Sequence, residues 1–163
     1  MQTLFNFSGS PIKHPSGFSL IELLATIVIL AILSATVLPK ISNLSRDARI
    51  SAVQDLEGKI RETQSAWRLK CATNTGCNLN SGTTTITDNG VTIRIWRGYP
   101  DAGETDNDID KAIAITGFTV VATNPSTFFQ KDGAPNPINC AVSYTEPATD
   151  GSPTTISTTI TGC

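Results

Sequence analysis

The hydrophobic residues of this chain follow two different patterns on either side of Pro39. Residues 18–38 form an almost unbroken aliphatic run, which as a helix would be about 31 Å long. That length matches the hydrocarbon core of a bilayer, so the run predicts a membrane-spanning helix. After Pro39 the apolar residues recur every three or four positions, which predicts that the helix continues as an amphipathic segment to about Leu69, with a bend at the proline.

The amphipathic half carries one apolar stripe, and we expect this stripe to pack on a sheet. Charged residues such as Arg46, Lys59 and Glu62 fall mostly outside it. Asn74 and Gly76 are helix breakers and end the pattern. The residues of the stripe are Ile41, Leu44, Ala48, Ala52, Leu56, Ile60, Thr63 and Trp67.

Beyond the helix, the pattern changes to short sheet-forming runs separated by turns. Asp88-Asn89-Gly90 is a strong hairpin signal between the runs at residues 83–87 and 91–96. Turns between such runs favour antiparallel pairing. The sequence therefore predicts an α+β fold, in which the second half of a long N-terminal helix packs on a C-terminal antiparallel sheet. The further predicted strands are residues 118–123, 141–144 and 154–161.

Four cysteines predict two disulfides. An even count in a small domain rich in glycine and proline is typical of an oxidising compartment. A four-thiolate zinc site is the alternative, but such sites use closely spaced cysteine pairs that are absent from this sequence. Cys71 and Cys77 are near enough to close a short loop that would fix the end of the helix.

The last hairpin allows a prediction for the other two cysteines. If Gly151-Ser152 form the central pair of its turn, Cys140 and Cys163 lie directly opposite each other. Opposed residues have Cβ atoms about 4.5 to 5.5 Å apart, close to the separation that a disulfide needs. Among the three possible connectivities, we therefore expect Cys71–Cys77 and Cys140–Cys163.

Composition and charge argue against catalysis and against nucleic-acid binding. The one histidine, His14, precedes the apolar run, and the chain has neither a glycine-rich phosphate loop nor a convincing nucleophile constellation. The formal net charge is −2, without a basic run. We expect no catalytic residues, no cofactor and no nucleic-acid partner.

The segment before the apolar run predicts a processing site. An ordinary secretory signal is cleaved after its apolar run at small residues, and no suitable site precedes Pro39 here. We therefore place the cut between Gly17 and Phe18. This cut leaves the apolar helix on the product and creates a free amine on Phe18.

Glu22 is the one charged residue in the apolar run. A carboxylate placed in hydrocarbon costs a few kcal/mol or more, which favours a functional partner. The alternative is an interfacial glutamate, close enough to the helix end to reach the head groups. The Phe18 amine of the same chain or of a neighbour would neutralise Glu22. Between helices that pack side by side, such a pair fixes their relative axial position, because a buried charge without its partner is strongly destabilising.

The order Gly17-Phe18-Ser19-Leu20-Ile21-Glu22-Leu23, followed by the apolar run and Pro39, resembles the prepilin motif of type IV pilins and pseudopilins. The resemblance covers about residues 13–40. It implies that residues 1–17 are a leader, removed on the cytoplasmic side by a prepilin peptidase, and that the new Phe18 amine is N-methylated. It also implies a lollipop shape, with residues 18–39 as the membrane and filament-core half of the helix and residues 40–163 as the remaining helix and the head.

The same resemblance implies a structural subunit. The subunit would cross the inner membrane once before an assembly platform adds it to an extracellular homopolymer, with Glu22 facing the Phe18 amine of an adjacent subunit. Residues 40–67 and Arg97-Gly98-Tyr99-Pro100 are similar to the major pilins of mannose-sensitive haemagglutinin type. The alternatives are a type II secretion pseudopilin and a minor pilin of a DNA-uptake or adhesion pilus.

Positive charges flank both ends of the apolar run. Lys13 precedes it, and Lys40, Arg46 and Arg49 follow it. The positive-inside rule alone would weakly favour a cytoplasmic head. The cysteines and the prepilin motif outweigh that rule and predict that the head is exported.

The acidic stretch at residues 101–110 suggests calcium. Its aspartates alternate as in an EF-hand loop, but Lys111 and Gly117 occupy the positions where that loop needs glycine and glutamate. We favour a solvated loop that caps a short helix at residues 109–115, and we predict no metal site. The alternating residues are Asp106, Asp108 and Asp110.

Overall fold

The computed structural model describes residues 17–103 and 109–163, in which one long helix precedes seven short strands. Helix α1 comprises Leu20–Thr73. Two short 3₁₀ helices, Ile109–Ala112 and Pro137–Asn139, lie among the strands. The strands are β1 (Thr83–Asp88), β2 (Val91–Trp96), β3 (Tyr99–Pro100), β4 (Phe118–Thr123), β5 (Ser126–Lys131), β6 (Ala141–Thr145) and β7 (Thr155–Thr159).

The chain forms two compact units that divide after Ile41. In the first unit, α1 begins after Ser19, whose carbonyl oxygen accepts hydrogen bonds from the N–H groups of Glu22 and Leu23 at 3.0 and 3.1 Å. The stretch Leu20–Val37 has a mean hydropathy of 2.5 and is long and apolar enough to cross a membrane. The predicted apolar helix is therefore confirmed, whereas a bend at Pro39 stays a prediction.

In the second unit, α1 ends one turn later than the sequence predicts, at Thr73. Asn74 and Gly76 end it as expected, because the Asn74 side chain accepts a hydrogen bond from the Gly76 N–H at 2.9 Å and closes a local turn. The disulfide between Cys71 and Cys77 joins the last helical turn to this loop, with a Cα separation of 5.2 Å.

The strands form two antiparallel sheets instead of one. The first has the order β1-β2-β3, and the second has the order β4-β5-β6-β7. The predicted hairpin between β1 and β2 is confirmed. Its turn lies at Asn89-Gly90, where φ is 49° and 81°, as a two-residue turn between right-twisted strands requires.

Strand β5 is not among the strands predicted from the sequence. Asn124-Pro125 forms the two-residue connection from β4, so that Thr123 pairs with Ser126. Thr127 and Phe129 are buried, whereas Phe128 between them is 36% exposed. Burial therefore alternates as in a strand, but the sequence does not show this alternation, because the buried residue 127 is a threonine and the exposed residue 128 is a phenylalanine.

The predicted register of the last hairpin is wrong by three residues. The observed pairing joins Ala141 to Thr159, and residues 146–154 form a connection much longer than a turn centred on Gly151-Ser152. Pro147 and Pro153 lie in this connection. Because proline has no N–H to donate to a ladder, both strands stop short of it.

The second disulfide nevertheless joins Cys140 to Cys163, with a Cα separation of 4.8 Å. Beyond β7 the chain turns, and the Cys163 N–H donates to the Ile160 carbonyl oxygen at 3.3 Å. The Gly162 N–H donates to the Asn139 carbonyl oxygen at 2.8 Å, which brings the two cysteines together. A side chain at Gly162 would collide with the backbone of the facing segment, so this approach requires glycine.

The core of the second unit lies between α1 and the two sheets, in two buried clusters. Of the predicted stripe, Leu56, Ile60 and Trp67 are buried as expected. Leu44 is 69% exposed and Ala48 is also exposed, so the prediction that these two residues pack on the sheet is wrong. Ile41 belongs to the first unit. The larger cluster joins α1 to β5 and β6, and its principal members are Val53, Leu56, Ile60, Phe129, Val142 and Tyr144. The smaller cluster joins α1 to β1 and β2, and its members are Trp67, Cys71, Ile86, Ile93 and Ile95.

Polar contacts also attach α1 to the C-terminal strand. The Thr158 hydroxyl donates to the Glu57 carboxylate at 2.7 Å, and Arg61 binds the other Glu57 oxygen at 2.7 Å. The Thr158 hydrogen bond, together with Arg61, lowers the pKa of Glu57. Glu57 therefore remains ionised and holds β7 against the helix.

Replacing Tyr144 by phenylalanine tests the link between the two sheets. The buried Tyr144 hydroxyl donates to the Pro100 carbonyl oxygen at 2.6 Å and so connects β6 to β3. Tyr144→Phe leaves that carbonyl without its partner, and we expect the free energy of unfolding to fall by about 1 to 2 kcal/mol. Thermal unfolding followed by near-ultraviolet circular dichroism measures the loss. Tyr99→Phe is the control, and an equal loss in both variants would contradict this role.

Candidate assembly site

Phe18 and Glu22 lie at the amino-terminal end of α1. Phe18 is 72% exposed and precedes the helix, and Glu22 occupies its first turn. Unpaired N–H groups and the helix dipole both favour a negative charge in a first turn. Residues 1–16, with Lys13 and His14, lie outside the described part of the chain.

Two hydroxyl groups of the apolar segment are satisfied within the helix. Thr26 donates to the Leu23 carbonyl oxygen at 2.8 Å, and Thr36 donates to the Leu33 carbonyl oxygen at 2.9 Å. Such bonds remove the penalty for placing a hydroxyl in hydrocarbon. Glu22 differs, because its side chain has no hydrogen-bond or ion-pair partner within residues 17–103 and 109–163. Its partner would have to come from outside these residues.

The side chains around Glu22 form a continuous apolar surface along the helix. Leu20 and Ile21 are 84% and 73% exposed, and the aliphatic residues that follow, as far as Val37, are about half exposed. Soluble monomers rarely expose so large an apolar surface. Such a surface is suited to contact with lipid or with other apolar helices.

Comparison with known proteins identifies the same segment. Residues 12–38 match the family model of the prokaryotic N-terminal methylation motif, which is the leader signature of type IV pilins and prepilins. The chain carries a prepilin signature. No curated protein matches the chain, and no solved structure does.

The prepilin signature includes Gly17, Phe18 and Glu22 and ends at Leu38, so it concerns the first part of α1 and not the head. It indicates a structural subunit of the pilin-like or pseudopilin class. Together with the exposed apolar helix, it fits processing by a peptidase and membrane anchoring before assembly into a surface filament. The cut after Gly17, the methylation of Phe18 and the role of Glu22 stay predictions.

The acidic stretch is only partly described. Asp106 and Asp108 lie outside the described residues, and Asp110 belongs to the 3₁₀ helix Ile109–Ala112. Within the described part of the chain, no group of three or more histidine, cysteine or acidic residues is arranged to hold a metal ion. The predicted absence of a calcium site at the stretch therefore stays a prediction.

The first residue of that stretch has a structural role that the sequence does not reveal. Asp101 is buried, forms an ion pair with Arg94 of β2, and accepts a hydrogen bond from the Gly103 N–H at 3.1 Å. Glu146, just after β6, accepts a long hydrogen bond of 3.5 Å from the Ala102 N–H. These residues join the two sheets, but they are too far apart in the sequence for any local pattern to connect them.

The carboxyl group of Asp101 affects the pKa of the Glu146 carboxyl group. Burial, together with the hydrogen bond to Asp101 and the repulsion from its charge, raises the pKa of Glu146 to about 7. The Ala102 N–H and the Arg94 guanidinium oppose the shift. Glu146 is therefore protonated in mildly acidic solution and donates a hydrogen bond to the Asp101 carboxylate.

This pKa predicts that the head is less stable at higher pH. Because the folded pKa of Glu146 exceeds its unfolded value, the stabilisation is complete below about pH 4.5 and is lost as the pH rises through 7. Glu146 is partly exposed, so solvent screening reduces the effect to a fall of roughly 1 kcal/mol in the free energy of unfolding between pH 5 and pH 8. Glu146→Gln should flatten this dependence in thermal melts across that range, whereas Glu62→Gln should leave it unchanged. A steep dependence that persists in Glu146→Gln would exclude Glu146 as its source.

Proposed function

We propose that this protein is the major pilin of a type IV pilus, a subunit that polymerises through the first part of α1. One observation carries the proposal: an exposed apolar helix with the prepilin signature bears a single acid, Glu22, in its first turn. In an anchor that only held a head at the membrane, the favourable first-turn position would offset only part of the cost of placing an acid in hydrocarbon. A helix that packs among identical copies can use it to set register.

Processing precedes assembly in this proposal. A prepilin peptidase at the cytoplasmic side cuts between Gly17 and Phe18 and methylates the new amine. The chain loses Lys13, the one charged residue of the leader, so the mature subunit has eleven basic and fourteen acidic residues. The mature net charge of −3 gives no support to a nucleic-acid partner.

Assembly then replaces lipid by protein around α1. The Phe18 amine of one subunit and the Glu22 carboxylate of its neighbour neutralise each other in the apolar filament core. In that environment an unpaired carboxylate or amine is strongly penalised, so that only the matched axial position is accepted. An inner-membrane assembly platform delivers the subunits, and the bend at Pro39 adapts the helix to its new surroundings.

The head supports an extracellular location. Its four cysteines form two disulfides, bonds that persist in oxidising compartments. Its β1 and β7 strands are rich in exposed threonine, which suits a surface that faces solvent. The finer likeness to pilins of mannose-sensitive haemagglutinin type belongs to this proposal and supports adhesion as the role of the filament.

Processing can be tested by mass spectrometry of the mature chain. We expect a protein shorter by residues 1–17 that begins with N-methylated Phe18, because the cut must leave the apolar helix on the product. Gly17→Glu should retain the leader. A filament subunit that still contains residues 1–17, or that begins after the apolar run, would contradict the proposal.

Assembly can be tested at Glu22. Glu22→Ala should reduce sheared surface filaments at least tenfold while the processed subunit still accumulates in the membrane, because the axial register is lost but the anchor is kept. Glu62→Ala, which removes an exposed acid from the head portion of α1, is the matched control and should assemble normally. Normal filaments in Glu22→Ala would rule out the register role.

The shearing experiment also separates a major pilin from the alternatives. In the unmodified strain we expect this chain to be the dominant component of the sheared filaments. A trace amount would indicate a minor pilin. Its absence from sheared material, together with a requirement for protein secretion, would indicate a pseudopilin.

A further inference from the structure

One face of the sheet β4-β5-β6-β7 carries no charged side chain. Phe129 and Val142 point to the core, so the side chains that alternate with them form the opposite face, as three rows of four residues. One outer row runs from Thr119 to Thr159 and the other from Thr123 to Thr155, and both contain only threonine, serine, glutamine and alanine. We call these rows, all within the described residues, the uncharged face; its middle row is Val121, Phe128, Ser143 and Ser157.

The lack of charge on this face is unusual for a surface that only meets water. Roughly a quarter to a third of the surface residues of a soluble domain are charged, so about three charges would be expected in three rows of four. Val121 and Phe128 are paired neighbours at 38% and 36% exposure. A charged group lies at the rim, where the Asp132 carboxylate accepts a hydrogen bond from the Thr119 hydroxyl at 2.7 Å. An apolar centre with a polar rim is typical of a protein–protein interface.

The hydroxyl groups of the uncharged face make it inexpensive to dehydrate. The hydroxyls of Ser126 and Thr145 bind each other at 2.8 Å. The Ser143 hydroxyl donates to the Ser157 carbonyl oxygen, and the Thr123 hydroxyl donates to the Ser126 carbonyl oxygen, both at 3.3 Å. Covering a hydroxyl costs free energy mainly when it loses its hydrogen-bond partner, and these groups keep theirs.

The charge of the chain favours a second copy as the occupant. The formal net charge is −2, so two copies repel each other except where their surfaces carry no charge. A two-fold contact places the uncharged face against itself, with the Val121–Phe128 pair of one copy against the same pair of the other. A strongly charged partner would find no complementary group on this face.

The size of the face determines how strong such a contact can be. Four strands about 4.8 Å apart and about six residues long cover roughly 19 by 20 Å. Two such faces in contact bury on the order of 800 Å² in total, whereas stable complexes bury about 1,200 to 2,000 Å². A single contact is therefore weak, but many contacts between two arrays of heads add up to firm attachment.

We propose that the uncharged face binds the uncharged face of a second copy of this chain, in a weak two-fold contact that acts between arrays of heads. The contact itself requires no filament, and only its consequence for filaments rests on the proposed function. Subunits of one polar filament all point the same way, so a two-fold contact cannot relate them. It would instead join neighbouring filaments side by side.

The test uses the full chain reconstituted at high density in phosphatidylcholine vesicles, with energy transfer between two dye-labelled vesicle populations as the measure of tethering. We expect the unmodified chain to tether vesicles. Val121→Lys should reduce tethering at least tenfold, because the two-fold contact then brings two lysines together in every pair of heads. Val91→Lys is the matched control, since Val91 is 39% exposed but lies on β2, outside the uncharged face, and it should tether normally.

A mixing experiment identifies the occupant and reports folding at the same time. Vesicles with Val121→Glu should also fail to tether one another. Mixed with Val121→Lys vesicles, they should recover tethering, because opposite charges then meet across the contact, and added salt should weaken this recovery. Recovery is possible only if both variants are folded and if the partner of the face is another copy of the same face.

Three outcomes would overturn the proposal. Unmodified vesicles that do not tether would show that the heads do not bind one another. Normal tethering by Val121→Lys would place the contact elsewhere on the head. Loss of tethering in both variants without recovery on mixing would assign the face to a different partner. A chain that builds no filaments but tethers vesicles in the expected pattern would overturn the proposed function and support this inference.

Discussion

The structure depends on one constraint: the apolar surface of the first part of α1 must never face water. Its aliphatic side chains from Leu20 to Val37 find no cover within the described part of the chain. The threonine hydroxyls bind the helix backbone, which makes the segment compatible with hydrocarbon. In the proposed function, lipid satisfies this constraint before assembly and identical helices satisfy it afterwards, and Glu22 would be the group that distinguishes the two environments.

The second unit closes its own core and does not need the first unit for it. Val53, Leu56 and Ile60 pack against β5 and β6, and Trp67 packs against β1 and β2. Contacts between residues distant in sequence complete this core: Tyr144 with Pro100, and Asp101 with Arg94 and Glu146. All of these contacts lie within the second unit.

Local signals predict the elements that local physics determines. The apolar run, the helix-ending residues and the Asn89-Gly90 turn each depend on a few neighbouring residues, and the structure follows them. The predictions fail where distant contacts decide the outcome. Leu44 and Ala48 have helical spacing, but whether a sheet covers them depends on where the strands lie. The register of β6 and β7 is set by prolines and by packing on α1, not by a compact turn.

The same distinction between local and distant contacts applies to the residues of the candidate site. Gly17, Phe18 and Glu22 are recognisable because their chemistry lies within a few residues of one helix end. The cluster of Asp101, Arg94 and Glu146 brings together three separate parts of the chain and leaves no trace in a linear pattern.

The bond between Cys140 and Cys163 has a mechanical consequence. It spans a separation of 23 residues that includes β6 and β7, and Arg49 ties its C-terminal end to α1. A pulling force applied between α1 and residue 163 would pass through the sulfur atoms and bypass both strands. Covalent bonds withstand loads that hydrogen-bonded ladders do not, so these strands would keep their pairing under tension that unravels a reduced head.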